Sequence, residues 1–173
     1  MKSLIPLCIF LVLLPSCTRQ KQEELPAPQS LDGVMDLQWG DSPATVRKKL
    51  LKIPGVVFVS DTLDFTFTGG SYLGHNVDEW VLSFWKGRYL WHARIVPRQD
   101  PQTVDALVNE LEQDLEDRYG ASSGARTWRF GVEGEERTNN VSIIYSPETP
   151  VEIWYNAHGF VDSLEHARRP TGE

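Results

Sequence analysis

Hydrophobic positions recur along this chain with two different periods. Residues 101–119 carry apolar side chains three and four positions apart, which is typical of a helix with one buried face. The same spacing, introduced by Ser42 as N-cap and Pro43 as first helical residue, predicts a shorter helix over residues 43–51. The outward positions of the shorter helix are basic: Arg47, Lys48, Lys49 and Lys52. Those of the longer helix are mostly acidic, so the two helices present opposite charges.

A period of two marks the predicted strands. Apolar and polar side chains alternate over residues 63–68, which predicts a half-buried strand. Residues 76–85 and 88–96 show the same alternation and flank Lys86-Gly87, a plausible two-residue turn. These two segments therefore predict a β-hairpin.

The register of this hairpin sorts its side chains onto two faces. With Trp85 opposite Arg88, the core face is apolar except for Asp78; it consists of Phe84, Leu82, Trp80, Asp78, Tyr89, Trp91, Ala93 and Ile95. The other, open face is mixed: Trp85, Ser83, Val81, Glu79, Arg88, Leu90, His92 and Arg94. In this register Glu79 lies across from Arg94, and such an opposite-charge pair stabilises a sheet.

Three further strands are predicted over residues 127–132, 140–146 and 151–157, whereas the segment after residue 158 is ambiguous. Hairpins imply an antiparallel sheet, and helices with one apolar side pack on one of its faces. We therefore expect a two-layer α+β fold. It has an antiparallel sheet of about six strands, with two helices on one face, in the order α-β-β-β-α-β-β-β. Residues 31–173 form a single domain, and its tail is frayed from about residue 168.

The first seventeen residues have the organisation of an export signal. Lys2 precedes an almost wholly apolar stretch, residues 4–14, which is too short to span a bilayer because a spanning helix needs about 20 residues. The sequence Leu14-Pro15-Ser16-Cys17 then resembles the lipobox of bacterial lipoproteins. An ordinary secretory signal with a nearby cysteine is the alternative.

The lipobox resemblance implies three processing events. Residues 1–16 are cleaved as a signal peptide, Cys17 is acylated, and residues 17–30 become a flexible tether on the bilayer. Two or three acyl chains are enough for stable anchoring. Thr18 stands where an Asp tends to retain such lipoproteins at the inner membrane, so the resemblance implies the outer membrane, facing the periplasm.

Composition and motifs exclude several classes of function. The formal charge is −7, and loss of Lys2 with the signal makes it −8, which argues against a nucleic-acid partner. The sequence contains no metal-ligand spacing, phosphate loop or serine-hydrolase elbow. We therefore predict no catalytic residues, no metal and no cofactor. A periplasmic hydrolase that uses His92 or His75 with nearby carboxylates is the rival hypothesis.

Five of the six tryptophans divide into two groups. Trp80, Trp91 and Trp128 are predicted in the core, whereas Trp85 and Trp154 fall on the open face of the sheet. Exposed aromatic residues grouped with arginine are typical of binding surfaces. The candidate partner-binding face consists of Trp85, Arg88, Val81, His92 and Trp154. Coverage of this face by the C-terminal segment of the chain is the alternative.

The opening Trp39-Gly40-x-Ser42-Pro43, a helix and a strand meander loosely resemble small α/β-meander periplasmic lipoprotein domains. These include the small lipoprotein subunit of the outer-membrane barrel assembly machine and β-lactamase-inhibitor-like modules. The likeness spans about half of the domain and transfers no functional residue. We expect an envelope lipoprotein anchored to the lipid bilayer through acylated Cys17. It acts as a non-enzymatic binding or scaffolding module for an envelope protein or a cell-wall component.

We also expect that the basic face of the first predicted helix can lie against anionic lipid. Clustered lysine and arginine side chains are attracted to anionic lipid. A solvated surface is the alternative for this face.

Overall fold

The computed structural model describes residues 31–131 and 138–167. The elements in these residues are, in chain order, β1 (Gly33–Val34), β2 (Leu37–Gln38), α1 (Pro43–Leu50), β3 (Val57–Ser60), β4 (Phe65–Thr68), β5 (Ser71–Tyr72), β6 (His75–Trp85), β7 (Tyr89–Pro97), α2 (Val104–Tyr119), β8 (Thr127–Phe130), β9 (Asn139–Ser146), β10 (Thr149–Ala157) and α3 (His158–His166). The predicted signal peptide, lipobox, tether and frayed tail lie outside the described residues.

One antiparallel sheet dominates the fold. Its strands follow the order β3-β4-β6-β7-β10-β9-β8, with β5 paired to β6, which makes eight strands. Strands β1 and β2 form a separate ribbon. The α+β class is confirmed, but the predicted numbers of strands and helices are wrong, because the described residues form an eight-stranded sheet and three helices. A strand of two residues, such as β5, carries too little alternation to be counted from sequence. Residues 56–60 are a candidate strand that the predicted six do not include, and β3 forms within them.

Helix α1 forms as its sequence predicts. The Oγ atom of Ser42 accepts the backbone N–H of Thr45 at 3.3 Å and so satisfies one free donor of the first turn. Pro43 takes the first helical position, where its missing N–H has no cost. Val46 and Leu50 are buried, and this orientation directs the basic side chains outward.

Helix α2 begins at Val104, later than its sequence pattern predicts. Asp100 Oδ1 accepts the backbone N–H of Gln102 at 2.9 Å, and this local turn competes with the first helical turn. The buried side of α2 consists of Val108, Leu111 and Leu115. These residues and the buried residues of α1 join the same apolar cluster as the inward side chains of the sheet. Both helices therefore cover the same face of the sheet.

The β6–β7 hairpin departs from its predicted register at the turn. Trp85 lies opposite Tyr89 and not opposite Arg88. Lys86 and Gly87 both have positive φ, 52° and 67°, and the backbone N–H of Arg88 donates to Trp85 O at 3.1 Å. The two-residue turn is therefore present, but strand pairing begins one residue further along β7.

The shift at the turn places Tyr89 opposite Trp85 and Leu90 opposite Phe84, and a β-bulge in β7 follows. Phe84 pairs with Leu90 and Ser83 pairs with His92, which leaves Trp91 as an extra residue between them. Leu90 consequently enters the core and is 0% exposed. Trp91 lies outside the apolar cluster, with its ring 5.7 Å from that of His92. The predictions of Tyr89 and Trp91 on the core face and of Leu90 on the open face are all wrong.

The other two predicted core tryptophans are confirmed. Trp80 is 1% exposed and Trp128 is 2% exposed. Their indole N–H groups donate to main-chain oxygens, that of Gly69 at 2.9 Å and that of Gly120 at 2.8 Å. A buried indole is costly without such a partner, so these bonds allow the two rings to lie in the core.

Helix α3 follows β10 without a loop. It begins at His158 and packs Phe160 against Gly40, whose φ of 91° suits glycine. A Cβ atom at residue 40 would lie 2.9 Å from the Phe160 ring, so the absence of a side chain there permits the close approach. None of the helices in the described residues has the length and apolar character to span a membrane.

Candidate functional site on the open face of the sheet

The face opposite α1 and α2 carries a row of adjacent side chains from three central strands. Val81 on β6 pairs with Arg94 on β7, and Arg94 pairs with Trp154 on β10. The row continues at its ends through Thr66 and Ser142. Trp154 keeps 36% of its surface exposed. This row is the centre of the candidate site.

Arg94 is held between two carboxylates. Its Nη2 donates to Glu79 Oε2 at 2.7 Å, and its Nη1 donates to Glu152 Oε1 at 2.7 Å. Glu152 Oε2 accepts the indole N–H of Trp154 at 2.6 Å. The predicted attraction between Glu79 and Arg94 is confirmed by this contact, although it runs diagonally because Val81 occupies the position directly opposite.

A second row of polar side chains lies beside the first. Ser83, His92, Asn156 and Asn140 are successive cross-strand neighbours from β6 to β9. His92 Nδ1 lies 2.8 Å from Asn156 Oδ1, and Asn156 Nδ2 donates to Asn140 Oδ1 at 3.0 Å. An amide oxygen only accepts, so His92 carries its proton on Nδ1 in this arrangement.

Burial lowers the pKa of His92 below its ordinary value of 6.5. The hydrogen bond to Asn156 and the charge of Asp64 act in the opposite direction but do not outweigh burial. The imidazole is therefore neutral at pH 7 and serves as a flat, uncharged part of the surface.

Four rings form a continuous aromatic group on this face. The ring of His92 lies 5.5 Å from that of Trp154 and 5.7 Å from that of Trp91. His158, the first residue of α3, places its ring 5.8 Å from that of Trp91. The bulge in β7 makes this group possible, because it brings Trp91 to the same side as His92.

The sequence-predicted site residues fall into two places. Val81, His92 and Trp154 lie together in the centre of the sheet. Trp85 lies at the hairpin end, where its ring packs 6.3 Å from that of Tyr89. The Lys86 ammonium lies 4.1 Å from the Trp85 ring centroid. Arg88 is exposed in the turn itself and is not in the central group.

Sequence reasoning missed three residues of the central group: Trp91, Asn156 and Glu152. The bulge that exposes Trp91 has no marker in the sequence, since no Gly stands there. Asn156 and Glu152 join the group because β10 pairs with β7, a contact between strands that are distant in the chain. Alternation alone places Glu152, Trp154 and Asn156 on one side of β10, but it does not name the neighbouring strand.

The rival catalytic histidines have different surroundings. His92 is bound to an amide, while the carboxylates of Glu79 and Glu152 are bound to Arg94. His75 Nε2 lies 3.6 Å from Asp114 Oδ2. Asp114 lines an open cleft of about 440 Å³ together with Leu73, Asp117 and Arg118. The described residues contain no group of three or more potential metal ligands.

No protein-family model, no curated protein and no solved structure matches the chain.

Proposed function

We propose that this chain is a membrane-anchored envelope lipoprotein whose domain binds a partner through the open face of its sheet. Binding is non-enzymatic, and the partner is an envelope protein or a cell-wall component. The observation that carries the proposal is the exposed Trp154 ring, held in place by Glu152 and continuous with His92 and Trp91.

The rigidity of this surface supports a binding role. Arg94 is fixed by two carboxylates, and His92 by an amide that is itself bound to Asn140. Side chains that are already ordered lose little conformational entropy when a partner arrives. Large aromatic and arginine side chains in such settings provide most of the binding energy in known interfaces.

The sequence Leu14-Pro15-Ser16-Cys17 supports the anchoring part of the proposal. Acylation of Cys17 and residues 17–30 as a tether would hold the domain at a membrane surface, which we place at the periplasmic side of the outer membrane. Cys17→Ser tests this part. The variant should lose the acyl mass and leave the membrane fraction, and retention of both would refute the anchor.

In-cell crosslinking of the full chain tests the binding face. Trp154→Ala should remove the crosslinked partner, because it deletes the exposed ring without touching the core. Met35→Ala is the matched control, since Met35 is 45% exposed but lies in the turn of the β1–β2 ribbon. An unchanged set of partners with Trp154→Ala, or an equal loss with Met35→Ala, would overturn the assignment of this face.

A periplasmic hydrolase is the second candidate, and one observation favours it. His75 lies beside Asp114 at the edge of the open cleft, and a histidine next to a carboxylate can act as a general base. Asp114→Asn and His75→Gln should then abolish turnover of an ester, amide or glycoside substrate in parallel. If neither variant changes any hydrolytic activity of the purified chain, this candidate is excluded.

A further inference from the structure

Strongly exposed aliphatic side chains gather at one edge of the sheet. Val57 is 59% exposed, Val59 is 54% exposed, and Leu63, in the loop between β3 and β4, is 95% exposed. Strand β3 is the last strand on this side of the described sheet. Val57 lies opposite Thr68, on the side away from the core residue Phe67. Val57 therefore lies on the open-face side of the sheet at its β3 edge, and Val59 and Leu63 follow it along the same edge.

The basic side of α1 adjoins this edge. The Arg47 guanidinium carbon lies 3.9 Å from the ring centroid of Phe58 on β3. Leu51, four residues after Arg47, lies on the same side of the helix and is 47% exposed. Lys48 and Lys52 are exposed on the outer side of α1 and the turn that follows it.

We name this surface the β3 edge patch and define it by seven residues: Arg47, Lys48, Leu51, Lys52, Val57, Val59 and Leu63. Asp61 and Asp64, in the same loop as Leu63, are carboxylates beside it. The patch thus combines three cations and four aliphatic side chains with two adjacent acids. Its local charge is positive on a chain whose formal charge is −7.

The geometry argues against two protein occupants. β3 has four residues, and its pairing with β4 shifts between Phe58 and Ser60. Short, bulged edge strands resist the addition of a further strand. A second copy docked by two-fold β3–β3 contact would bring the two sets of α1 cations close together. Like charges so arranged repel, so self-association is also disfavoured.

We propose that the β3 edge patch lies against an anionic phospholipid bilayer. Basic side chains near an anionic surface and aliphatic side chains at the headgroup boundary are the two contributions to such binding. The inference rests on the proposed function for its anchor, because acylated Cys17 would hold the chain at the same bilayer.

The tether is long enough for this orientation. The domain begins at Leu31, whose carbonyl accepts from Asn139 of β9, and β9 lies five strand positions from β3. Five strand spacings amount to about 24 Å. The 13 residues 18–30 reach about 40 Å when extended. The anchor can therefore insert while the β3 edge patch faces the lipid, and Trp154 on β10 lies four strand positions away from β3.

A nitroxide label at residue 63 tests the proposal. The full-length Leu63→Cys chain is labelled, reconstituted in vesicles of phosphatidylglycerol and phosphatidylcholine, and measured for collisions with oxygen and with a water-soluble nickel chelate. We expect a several-fold higher oxygen-to-nickel accessibility ratio than for a label at Glu110→Cys on the acidic side of α2. This ratio should return to that of Glu110→Cys in pure phosphatidylcholine vesicles.

Charge variants provide the matched control. Lys48→Glu with Lys52→Glu, in the Leu63→Cys background, should abolish the raised ratio. Arg98→Glu with Arg129→Glu changes the net charge equally at exposed sites outside the patch and should leave it intact. The proposal is overturned if label 63 is exposed to water in anionic vesicles. It is also overturned if the oxygen-to-nickel ratio of label 63 is the same in neutral vesicles as in anionic vesicles. If an added envelope protein immobilises label 63 in the absence of vesicles, the proposal is overturned and the patch binds a protein partner instead.

The intact mass of the same sample separates the two proposals. A chain without acyl mass on Cys17 refutes the anchor. Because its free thiols would also take the label, the vesicle test is then made with Leu63→Cys and Glu110→Cys in a Cys8→Ser, Cys17→Ser chain added from solution. An acylated chain whose label 63 stays in water retains the anchor and refutes the patch.

Discussion

The indole N–H of Trp154 donates to Glu152 Oε2 at 2.6 Å, two residues earlier on the same strand. The other oxygen of this carboxylate accepts from Arg94 at 2.7 Å. One side chain thus orients both the exposed ring and the central cation of the open face. Three predictions concern residues of this face and one concerns the core beneath it.

Glu152→Gln should lower the free energy of unfolding by about 1–2 kcal/mol, because charge-assisted bonds with limited solvent exposure exceed ordinary ones in strength. The Glu152 side chain is 14% exposed. Asp78→Asn is the matched control, since its ion pair with Arg98 is 49% and 65% exposed. It should cost less than about 0.5 kcal/mol. Urea denaturation of both variants measures the difference. Equal losses in the free energy of unfolding would contradict the inference that the bonds of Glu152 stabilise the fold more than the exposed ion pair does.

His92 should make stability depend on pH in one direction. Because burial lowers its folded pKa below 6.5, the unfolded chain binds a proton at higher pH than the folded chain. The contribution of neutral His92 is therefore complete above about pH 6.5 and is lost as the pH falls toward its folded pKa. His92→Gln should remove this part of the pH dependence, measured as unfolding free energy against pH.

The control for His92 is Met35→Ala, at an exposed position without a titratable group. It should retain the wild-type slope between about pH 7 and pH 5. A steeper loss of stability in His92→Gln than in the wild type at acidic pH would show that the burial of His92 does not govern the slope.

The two faces of the hairpin predict different costs for two conservative tryptophan substitutions. Trp80→Phe should destabilise the domain by about 2–3 kcal/mol, because it leaves a void in the core and removes the donor to Gly69. Trp91→Phe should cost less than about 1 kcal/mol, because the ring lies on the open face. Chemical denaturation distinguishes them. A Trp91→Phe cost equal to that of Trp80→Phe would refute the displacement of Trp91 from the core.

The core contains a pair of tyrosines whose hydroxyl groups hydrogen-bond to each other, Tyr72 and Tyr155. Burial raises the pKa of both phenols. Tyr155→Phe should cost about 1–3 kcal/mol because it leaves the Tyr72 hydroxyl without this partner. The double variant Tyr72→Phe, Tyr155→Phe should cost less than the sum of the single variants, as a double-mutant cycle would measure. Additive costs would mean that the two hydroxyls do not stabilise each other.

Local sequence signals predicted most of the helices and strands, because caps and hydrophobic spacing depend only on residues that are close together in the chain. Ser42 and Pro43 specify the start of α1, and apolar spacing identifies the buried side of α2. Alternation found the long strands, but the shortest strands escaped it. Helix α3 was ambiguous because it has only nine residues, no side-chain cap hydrogen bond marks its start, and none of its residues is fully buried.

The candidate site was predicted only in part for a related reason. Val81 and Trp154 are on the open face because alternation determines the side of a strand on which a residue lies. The register of the hairpin could not be obtained in this way, since the extra residue at Trp91 shifts every later pair in β7. The role of Arg94 between Glu79 and Glu152 likewise depends on the bulge and on which strand lies beside β7.

The sequence by itself determined the α+β class, the two charged amphipathic helices, and the side of β6 and β10 on which Val81 and Trp154 lie. These features follow from hydrophobic periods and caps, which are physical properties of neighbouring residues. Only the tertiary structure decided that β10 lies beside β7 and that Trp91 leaves the core. It also decided that Arg47 meets Phe58 at the edge of the sheet. Each of these depends on the packing of residues far apart in the chain, which no local pattern encodes.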